Sequence, residues 1–284
     1  MPVHGGASFI EMSIRAVLEA LEGLDQPIEL LVVFDGVNDA APDLLAAVDD
    51  ERVRVLAYPR NQGKGFAITH GIAHSRGRLV GWLDSDLDIH PSVIVEALEL
   101  FDGPETVDAV IGSKRHPDSE VHYPWRRRVY SAGYQVLTRL LFRINVRDTQ
   151  VGAKLFRREM LETVAPLLLV KRYAFDVEVL AVGAEFGFDR VSEVPISLDY
   201  RFSGSLINRH AVYKMLVDTL AIAYRIHIRH WYVRRFASLE RGRMDMTITS
   251  PARVITSPRA TSSAQPRNAD EGLVEVLAPA RRST

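Results

Sequence analysis

The stretch Leu79-Val80-Gly81-Trp82-Leu83-Asp84-Ser85-Asp86 runs from five mostly apolar residues directly into two carboxylates that flank one serine. The apolar part is typical of a short strand that is buried on both faces of a sheet. Carboxylates at the end of such a strand offer the hard oxygen ligands that Mg²⁺ or Mn²⁺ accepts, and they leave positions for phosphate oxygens. The alternative is a solvated acidic turn that caps the next helix. The buried strand favours a metal site, with Asp84, Asp86 and Asp88 as candidate ligands.

Strand and helix patterns alternate on both sides of this stretch. Apolar runs predict strands at 27–34, 53–58, 79–83, 107–111 and 152–156. Helical spacing of apolar residues predicts helices between them, at 10–21, 63–75, 91–101, 123–142, 175–186 and 209–232. This alternation predicts an α/β fold with a mostly parallel central sheet flanked by helices. In such sheets ligands bind beyond the carboxyl ends of the strands.

The composition narrows the classes of function. The chain has 284 residues, a formal net charge of −1 and no cysteine. Disulfides, thiolate zinc sites and cysteine nucleophiles are therefore excluded. No overall field attracts nucleic acid, so any anion recognition has to be local. The sequence has neither an apolar run of the roughly 18 residues that a membrane span needs nor a signal-peptide pattern, so we expect a cytoplasmic protein.

Two further motifs lie at predicted strand ends. Asn61-Gln62-Gly63-Lys64-Gly65 stands between a strand and a helix, where glycines permit close backbone approach and a lysine suits phosphate. The alternative is a glycine turn with a lysine that faces solvent. Asp35 ends the strand 27–34 and could accept a hydrogen bond from a base or a ribose. The alternative for Asp35 is a turn aspartate beside Gly36.

The order of these motifs resembles the family 2 glycosyltransferases, which have the nucleotide-sugar-binding fold called GT-A. Members typically show a strand ending in Asp-Asp-Gly-Ser, then an Asn-x-Gly-Lys-Gly turn, then a DxD. The second and third motifs match at Asn61 to Gly65 and at Asp84 to Asp86. The first departs, because Phe34 replaces one aspartate and Val37 replaces the serine. Only Asp35 is carried over from it.

Later segments resemble one subfamily, the polyprenyl-phosphate sugar synthases. Gly112 to Arg115 resembles their Gly-Ser-Arg segment, and Asp148 to Phe156 resembles the Asp-Thr-Gln-x-Gly-x-Lys-Leu-Phe segment of dolichyl-phosphate glucose synthases. Tyr173 to Glu178 is similar to their Trp-Ala-Phe-Asp-Val-Glu, and Glu193 to Ile196 to a Glu-Val-Pro-Val segment. The likeness spans about residues 1–230.

The opening of the chain departs from the family. Members normally begin with a buried strand that runs into Pro-x-Tyr-Asn-Glu, whereas this sequence opens at Met1-Pro2-Val3-His4-Gly5-Gly6. We therefore expect a truncated first strand. The residues that usually contact uracil or guanine near this strand are not assigned.

The resemblance implies an inverting transfer of a hexose from a nucleotide sugar, UDP-glucose or GDP-mannose, to a polyprenyl phosphate, with Mg²⁺ or Mn²⁺ as cofactor. A phosphate monoester has its second pKa near ~6, so the acceptor needs no strong base. Asp176 and Glu178 are the base candidates, with a helix-dipole role as the alternative. The arginines at 126–128 are acceptor candidates or a solvated helix face. The implied roles are donor binding by Asp35, Asn61, Gly63, Lys64, Asp84 and Ser85; acceptor phosphate binding by Lys114, Arg115, Arg126, Arg127 and Arg201; and catalysis by Asp86 and Asp176.

Three parts of the chain are predicted. Residues 1–208 form the GT-A catalytic domain, 209–240 a basic amphipathic helix, and 241–284 a disordered polar tail. The helix either lies at a membrane surface as a peripheral contact or packs on the catalytic domain. Two alternatives to the synthase stay open: a family 2 transferase with a soluble or polysaccharide acceptor, and a non-catalytic nucleotide-sugar-binding protein.

Overall fold

The computed structural model describes residues 1–3, 7–36, 48–103, 106–121, 125–198 and 209–249. The chain divides into two compact units, Met1–Glu240 and Arg241–Thr284. The described strands are β1 Pro2–Val3, β2 Leu30–Asp35, β3 Val53–Tyr58, β4 Leu79–Leu83, β5 Ala109–Ser113, β6 Glu120–Val121, β7 Ala153–Arg157, β8 Val191–Pro195 and β9 Ser197–Leu198.

The helices follow the strands closely in the chain. They are α1 Ala7–Ala20, α2 Lys64–His74, α3 Val93–Asp102, α4 Trp125–Phe142, α5 Arg158–Val164, α6 Phe175–Glu185, α7 Arg209–Ala223 and α8 Trp231–Thr249. Short 3-10 and π-helical turns follow α5 and α7 at Ala165–Leu167 and Tyr224–Ile228.

The strands form a mostly parallel arrangement, which confirms the predicted α/β class. One sheet has the order β1-β2-β3 with parallel pairing throughout. A second has the order β4-β7-β5-β8, in which β7 runs antiparallel to both neighbours and β5 is parallel to β8. A pair of short strands, β6 and β9, completes the described sheets. Apolar patterning gives strand position but not strand direction, so the reversed β7 was not predicted.

The predicted helix 209–232 is wrong as a single element. α7 ends at Ala223, a π-helical turn covers Tyr224–Ile228, and His230 has a positive φ of 46° before α8 starts at Trp231. Tyr232, directly after this break, is 1% exposed. α8 continues to Thr249, so helix extends beyond residue 241, where the sequence predicts a tail. Residues 250–284 lie outside the described part.

The central helix of the packing is α6. All nine residues from Phe175 to Gly183 are buried, including Asp176 and Glu178. A helix that is apolar on nearly every side belongs in a core rather than at a surface. Two acidic side chains inside this core each need compensating partners.

An apolar cavity of about 630 Å³ lies between the β1-β2-β3 sheet and β4. The cavity is partly open to solvent. It continues the line of β1, which pairs with β2 only at Val33 and Phe34. Its lining includes Leu21, Leu30, Leu31, Ile68, Leu79 and Ile94.

An engineered extension of five apolar, β-branched residues joined ahead of Met1 is expected to raise Tm by several degrees. It would continue β1 along Leu30 and Leu31 and bury the apolar lining of the cavity, and each kcal/mol gained corresponds to about 2–4 °C in a domain of this size. Thermal unfolding monitored by circular dichroism checks this. An extension of equal length that alternates Asp and Gly is the control, and equal Tm values for both would contradict the expectation.

Candidate functional site

The site is built where β2, β3 and β4 end. Asp35, the last residue of β2, lies 7% exposed. Its Oδ1 accepts hydrogen bonds from the Tyr58 hydroxyl at 2.9 Å and the Gln62 amide at 2.6 Å, and its Oδ2 accepts one from the Gly63 amide at 2.8 Å. Asp35 therefore holds the turn that follows β3. Its predicted contact with a base or ribose stays a prediction.

Both glycines of this turn are required by packing. Gly63 has a positive φ of 103°, and a Cβ on it would lie 2.5 Å from the carbonyl oxygen of Lys171. A Cβ on Gly65 would lie 2.6 Å from the ring of Phe175, and the Gly65 amide donates to the Lys171 carbonyl at 2.9 Å. The turn 61–65 is thus seated against residues 171–175. Packing against this segment is a reason for both glycines in addition to close approach to a phosphate.

Lys64 joins this turn to the acidic stretch after β4. Its Nζ lies 2.6 Å from Oδ1 of Asp84, and both side chains are about one-third exposed. Desolvation would lower the pKa of Lys64, but the carboxylates of Asp84, Asp176 and Asp86 outweigh it and raise that pKa. The sequence predicted both residues as donor ligands, and the structure places them in contact.

Gly152 explains how Asp84 fits beside β7. The Asp84 amide donates to the Gly152 carbonyl at 3.0 Å. A Cβ at position 152 would collide with the Asp84 carboxylate, so this position needs glycine. The Asp148 to Phe156 segment therefore supports the acidic turn directly.

The three predicted metal ligands do not form a ready three-carboxylate cluster. Among the described residues no group of three acidic or histidine side chains converges on one point. The Asp86 side chain is exposed, and its Oδ1 accepts the Asp88 amide at 3.2 Å. Leu87, with a positive φ of 56°, turns the chain between them, and Oδ1 of Asp88 is buried. The assignment of Asp88 as a metal ligand beside Asp84 and Asp86 stays a prediction.

The donor set at this turn still fits a divalent cation that binds phosphate. Asp84 and Asp86 present two hard carboxylates beside an exposed turn, and two protein carboxylates with substrate phosphates are a usual ligand set for Mg²⁺. Ser85 lies between them, and its carbonyl accepts the Ser13 hydroxyl at 2.7 Å. This bond ties the acidic turn to α1.

Asp176 lies in a buried ion pair. Its Oδ1 is 2.7 Å from Nζ of Lys154, whose side chain is fully buried, and it also accepts the indole N–H of Trp82 at 3.2 Å. Burial alone would raise the pKa of Asp176, but the ammonium groups of Lys154 and Lys64 outweigh it and lower that pKa. A carboxylate held in this way is a poor proton acceptor. The arrangement favours a positioning role over the predicted base.

The predicted acceptor cations are only partly within the described structure. Lys114 and Arg115 follow β5, and the Arg115 guanidinium donates to Gln135 and, at 3.2 Å, to the Ser131 hydroxyl of α4. Arg115 is therefore also a link between β5 and α4. The side chains of Arg126 and Arg127, and all of Arg201, lie outside the described residues.

Two cationic side chains at the glycine turn were not predicted as site residues from the sequence. Nζ of Lys171 donates to Oε1 of Gln62 at 3.2 Å, and the Arg172 guanidinium donates to Oδ1 of Asn61 at 3.5 Å. Both cationic side chains are exposed. Their position directly before Tyr173 to Glu178 was the available signal, since that segment was already identified as a family motif.

Comparisons with known proteins identify similar sequences and a similar fold. The family model described as Glycosyl transferase family 2 matches residues 1–165. Glycosyltransferase AglD of Haloferax volcanii is 31% identical over 200 residues, which cover 69% of this chain and 32% of that protein. The dolichyl-phosphate beta-glucosyltransferase of Homo sapiens is 31% identical over 215 residues, which cover 72% of this chain and 65% of that protein.

A solved structure shows the same fold. Glucosyl-3-phosphoglycerate synthase from Mycobacterium tuberculosis, in complex with uridine-diphosphate, superposes with a TM-score of 0.60 at 18% identity and covers 78% of each chain. The predicted GT-A fold is confirmed. The chain spans 32% of the AglD protein and 63% to 65% of the length of the matched dolichyl-phosphate beta-glucosyltransferases.

Asp176→Asn is expected to lower the free energy of unfolding by about 3–5 kcal/mol, because it leaves the buried Lys154 ammonium without its counter-ion. Urea denaturation measures this loss. The double variant Lys154→Met, Asp176→Asn removes both charges and is expected to recover most of the stability, while Asn still accepts from Trp82. A loss below about 1 kcal/mol would instead match the helix-dipole role.

Proposed function

Because this chain belongs to glycosyl transferase family 2, we propose that it moves a hexose from a nucleotide sugar to a polyprenyl phosphate with inversion. UDP-glucose is the favoured donor, with GDP-mannose second. The contact between Lys64 and Asp84 carries the proposal, because it joins the glycine turn and the acidic turn at one edge of the sheet. Relatives named dolichyl-phosphate beta-glucosyltransferase, at 31% identity, support the acceptor and glucose.

The donor would lie across the two turns. Lys64 and the backbone of the glycine turn suit the diphosphate, and Asp84 and Asp86 would hold Mg²⁺ or Mn²⁺. A divalent cation supplies charge neutralisation of the diphosphate leaving group. Mn²⁺ accompanies uridine-diphosphate in a structure of the mycobacterial synthase with the same fold, which supports this assignment.

The transfer requires positioning more than proton removal. A phosphate oxygen of the acceptor forms a bond to the anomeric carbon while the bond from that carbon to the nucleoside diphosphate breaks, and the leaving group departs as an anion. The acceptor is already largely a dianion at neutral pH. The protein therefore has to bring two anions together, for which Lys114, Arg115, Arg126, Arg127 and Arg201 are the proposed cations.

A lipid acceptor requires contact with a membrane. Within the described ranges, none of the helices combines the length and hydrophobicity needed to cross a bilayer. α4 and α7 pack together, and the Tyr134 hydroxyl shares a 2.8 Å hydrogen bond with the Thr219 hydroxyl between them. We therefore propose peripheral binding at the cytoplasmic face through the helix surface, defined as the exposed apolar residues Val136, Leu140, Tyr213, Val217, Leu220, Tyr224 and Ile228.

Basic side chains border the helix surface. Lys214 on α7, Arg229 directly after the π-helical turn and Arg143 directly after α4 are all exposed. Apolar residues with a cationic rim are the combination that binds an anionic bilayer surface.

Asp86→Ala is expected to lower hexose transfer at least about 100-fold, the usual scale for losing a group that stabilises the leaving charge. Labelled UDP-glucose or GDP-mannose is incubated with a short polyprenyl phosphate and Mn²⁺ or Mg²⁺, and lipid-extractable label is counted. Asp25→Ala, an exposed aspartate before the opposite end of β2, is the control and should keep full activity.

The same assay distinguishes the alternatives. Label that enters a water-soluble product would indicate a family 2 transferase with a soluble acceptor. No transfer from either donor, repeated with the five-residue extension ahead of Met1, would reject the synthase. Binding of UDP without transfer would then indicate a non-catalytic nucleotide-sugar-binding protein.

Leu220→Glu and Ile228→Glu are each expected to lower binding to vesicles of phosphatidylcholine and phosphatidylglycerol at least about tenfold, because burying one such side chain contributes about 1.5–3 kcal/mol. Co-sedimentation measures the bound fraction. Leu100→Glu places the same charge at an exposed leucine of α3, outside the helix surface, and should bind normally. Equal binding by all three variants would show that the helix surface does not bind the membrane.

A further inference from the structure

We propose that Glu178 and Tyr232 are positioning residues for the glycine turn 61–65, so that docking of the C-terminal helix α8 sets the affinity for the nucleotide sugar. The inference rests on the proposed function for the identity of the ligand. The physical link between α8 and the turn stands on contacts of described residues alone.

The link begins at one wholly buried carboxylate. Glu178 is 0% exposed, and its Oε1 accepts the hydroxyl of Tyr232 at 2.5 Å. Nη1 of Arg225 lies 3.7 Å from the same oxygen. Both partners come from the C-terminal part of the chain, Tyr232 from α8 and Arg225 from the π-helical turn before it. Burial raises the pKa of this carboxyl.

The other oxygen of Glu178 holds a loop. Oε2 accepts the amides of Leu169 at 3.0 Å and Val170 at 2.7 Å. These residues lead directly into Lys171, whose carbonyl accepts the Gly65 amide at 2.9 Å and lies against Gly63. One carboxylate oxygen of Glu178 therefore accepts a hydrogen bond from α8. The other oxygen accepts hydrogen bonds from the segment that packs against the glycine turn.

The break after α7 serves this arrangement. A π-helical turn at Tyr224–Ile228 and a positive φ at His230 separate α7 from α8 directly before the buried Tyr232. π-helical insertions are often found at functional sites. The π-helical turn that supplies Arg225 also carries Tyr224 and Ile228 of the proposed membrane contact, so the helix surface and the Glu178 link share one segment.

The experiment compares Tyr232→Phe and Glu178→Gln with Tyr134→Phe. Tyr134 is also buried, at 8% exposure, and also loses one hydrogen bond, to Thr219, but it has no described link to the turn. Amide hydrogen exchange by NMR is followed at Leu169, Val170 and Gly65. The donor KM and kcat are measured in the transfer assay, and UDP binding is measured by calorimetry.

Tyr232→Phe and Glu178→Gln are expected to speed exchange at Leu169, Val170 and Gly65 and to raise the donor KM about five- to tenfold, with kcat within twofold. A five- to tenfold change corresponds to losing part of the free energy that one hydrogen bond to a charged group contributes. UDP affinity should fall by the same factor. Tyr134→Phe should leave all three measurements near those of the unchanged chain.

Unchanged exchange at Gly65, together with a donor KM equal to that of Tyr134→Phe, would overturn the inference. A uniform rise in exchange across the sheet in all three variants would likewise overturn it, because that would show general destabilisation. If the unchanged chain transfers no hexose, the proposed function fails, and Gly65 exchange with UDP affinity still decides whether α8 controls the turn.

Discussion

Lys154 sits wholly inside the protein on β7, and an ammonium group in that position costs several kcal/mol unless a carboxylate compensates it. Asp176, at the start of α6, is that carboxylate. It also accepts a hydrogen bond from the indole N–H of Trp82 on β4. One interaction therefore fixes a strand, a helix and the strand that precedes the acidic turn relative to one another. The position of Asp84, and through Asp84 that of Lys64, follows from this arrangement.

The same helix carries the second buried acid. Asp176 and Glu178 are two residues apart, so they leave α6 in different directions: Asp176 meets Lys154, and Glu178 meets Tyr232. The sequence analysis offers both residues as base candidates, with a helix-dipole role as the alternative. The structure uses both as internal connections, one to the sheet and one to the C-terminal helices. Acidic residues at a helix start need not serve either the helix dipole or a substrate.

Much of the fold followed from local pattern. β3 and β4 have the predicted bounds, because short apolar runs between turn residues determine strands without long-range information. The direction of β7 and the break after Ala223 did not follow, since both depend on partners distant in the chain. His230 adopts a positive φ although it is not glycine, and the buried Tyr232 follows two residues later.

The two glycines of the turn 61–65 have two physical explanations, and the sequence motif indicates only one of them. Gly63 and Gly65 are explained by tight packing against Lys171 and Phe175 before any phosphate is considered. The two explanations are compatible, because a turn seated rigidly on a buried loop keeps its amides and Lys64 in one place. Preorganisation of this kind lowers the cost of binding a flexible diphosphate. Packing and the proposed recognition of the diphosphate therefore depend on the same two glycines, and a side chain at either position is expected to disturb both.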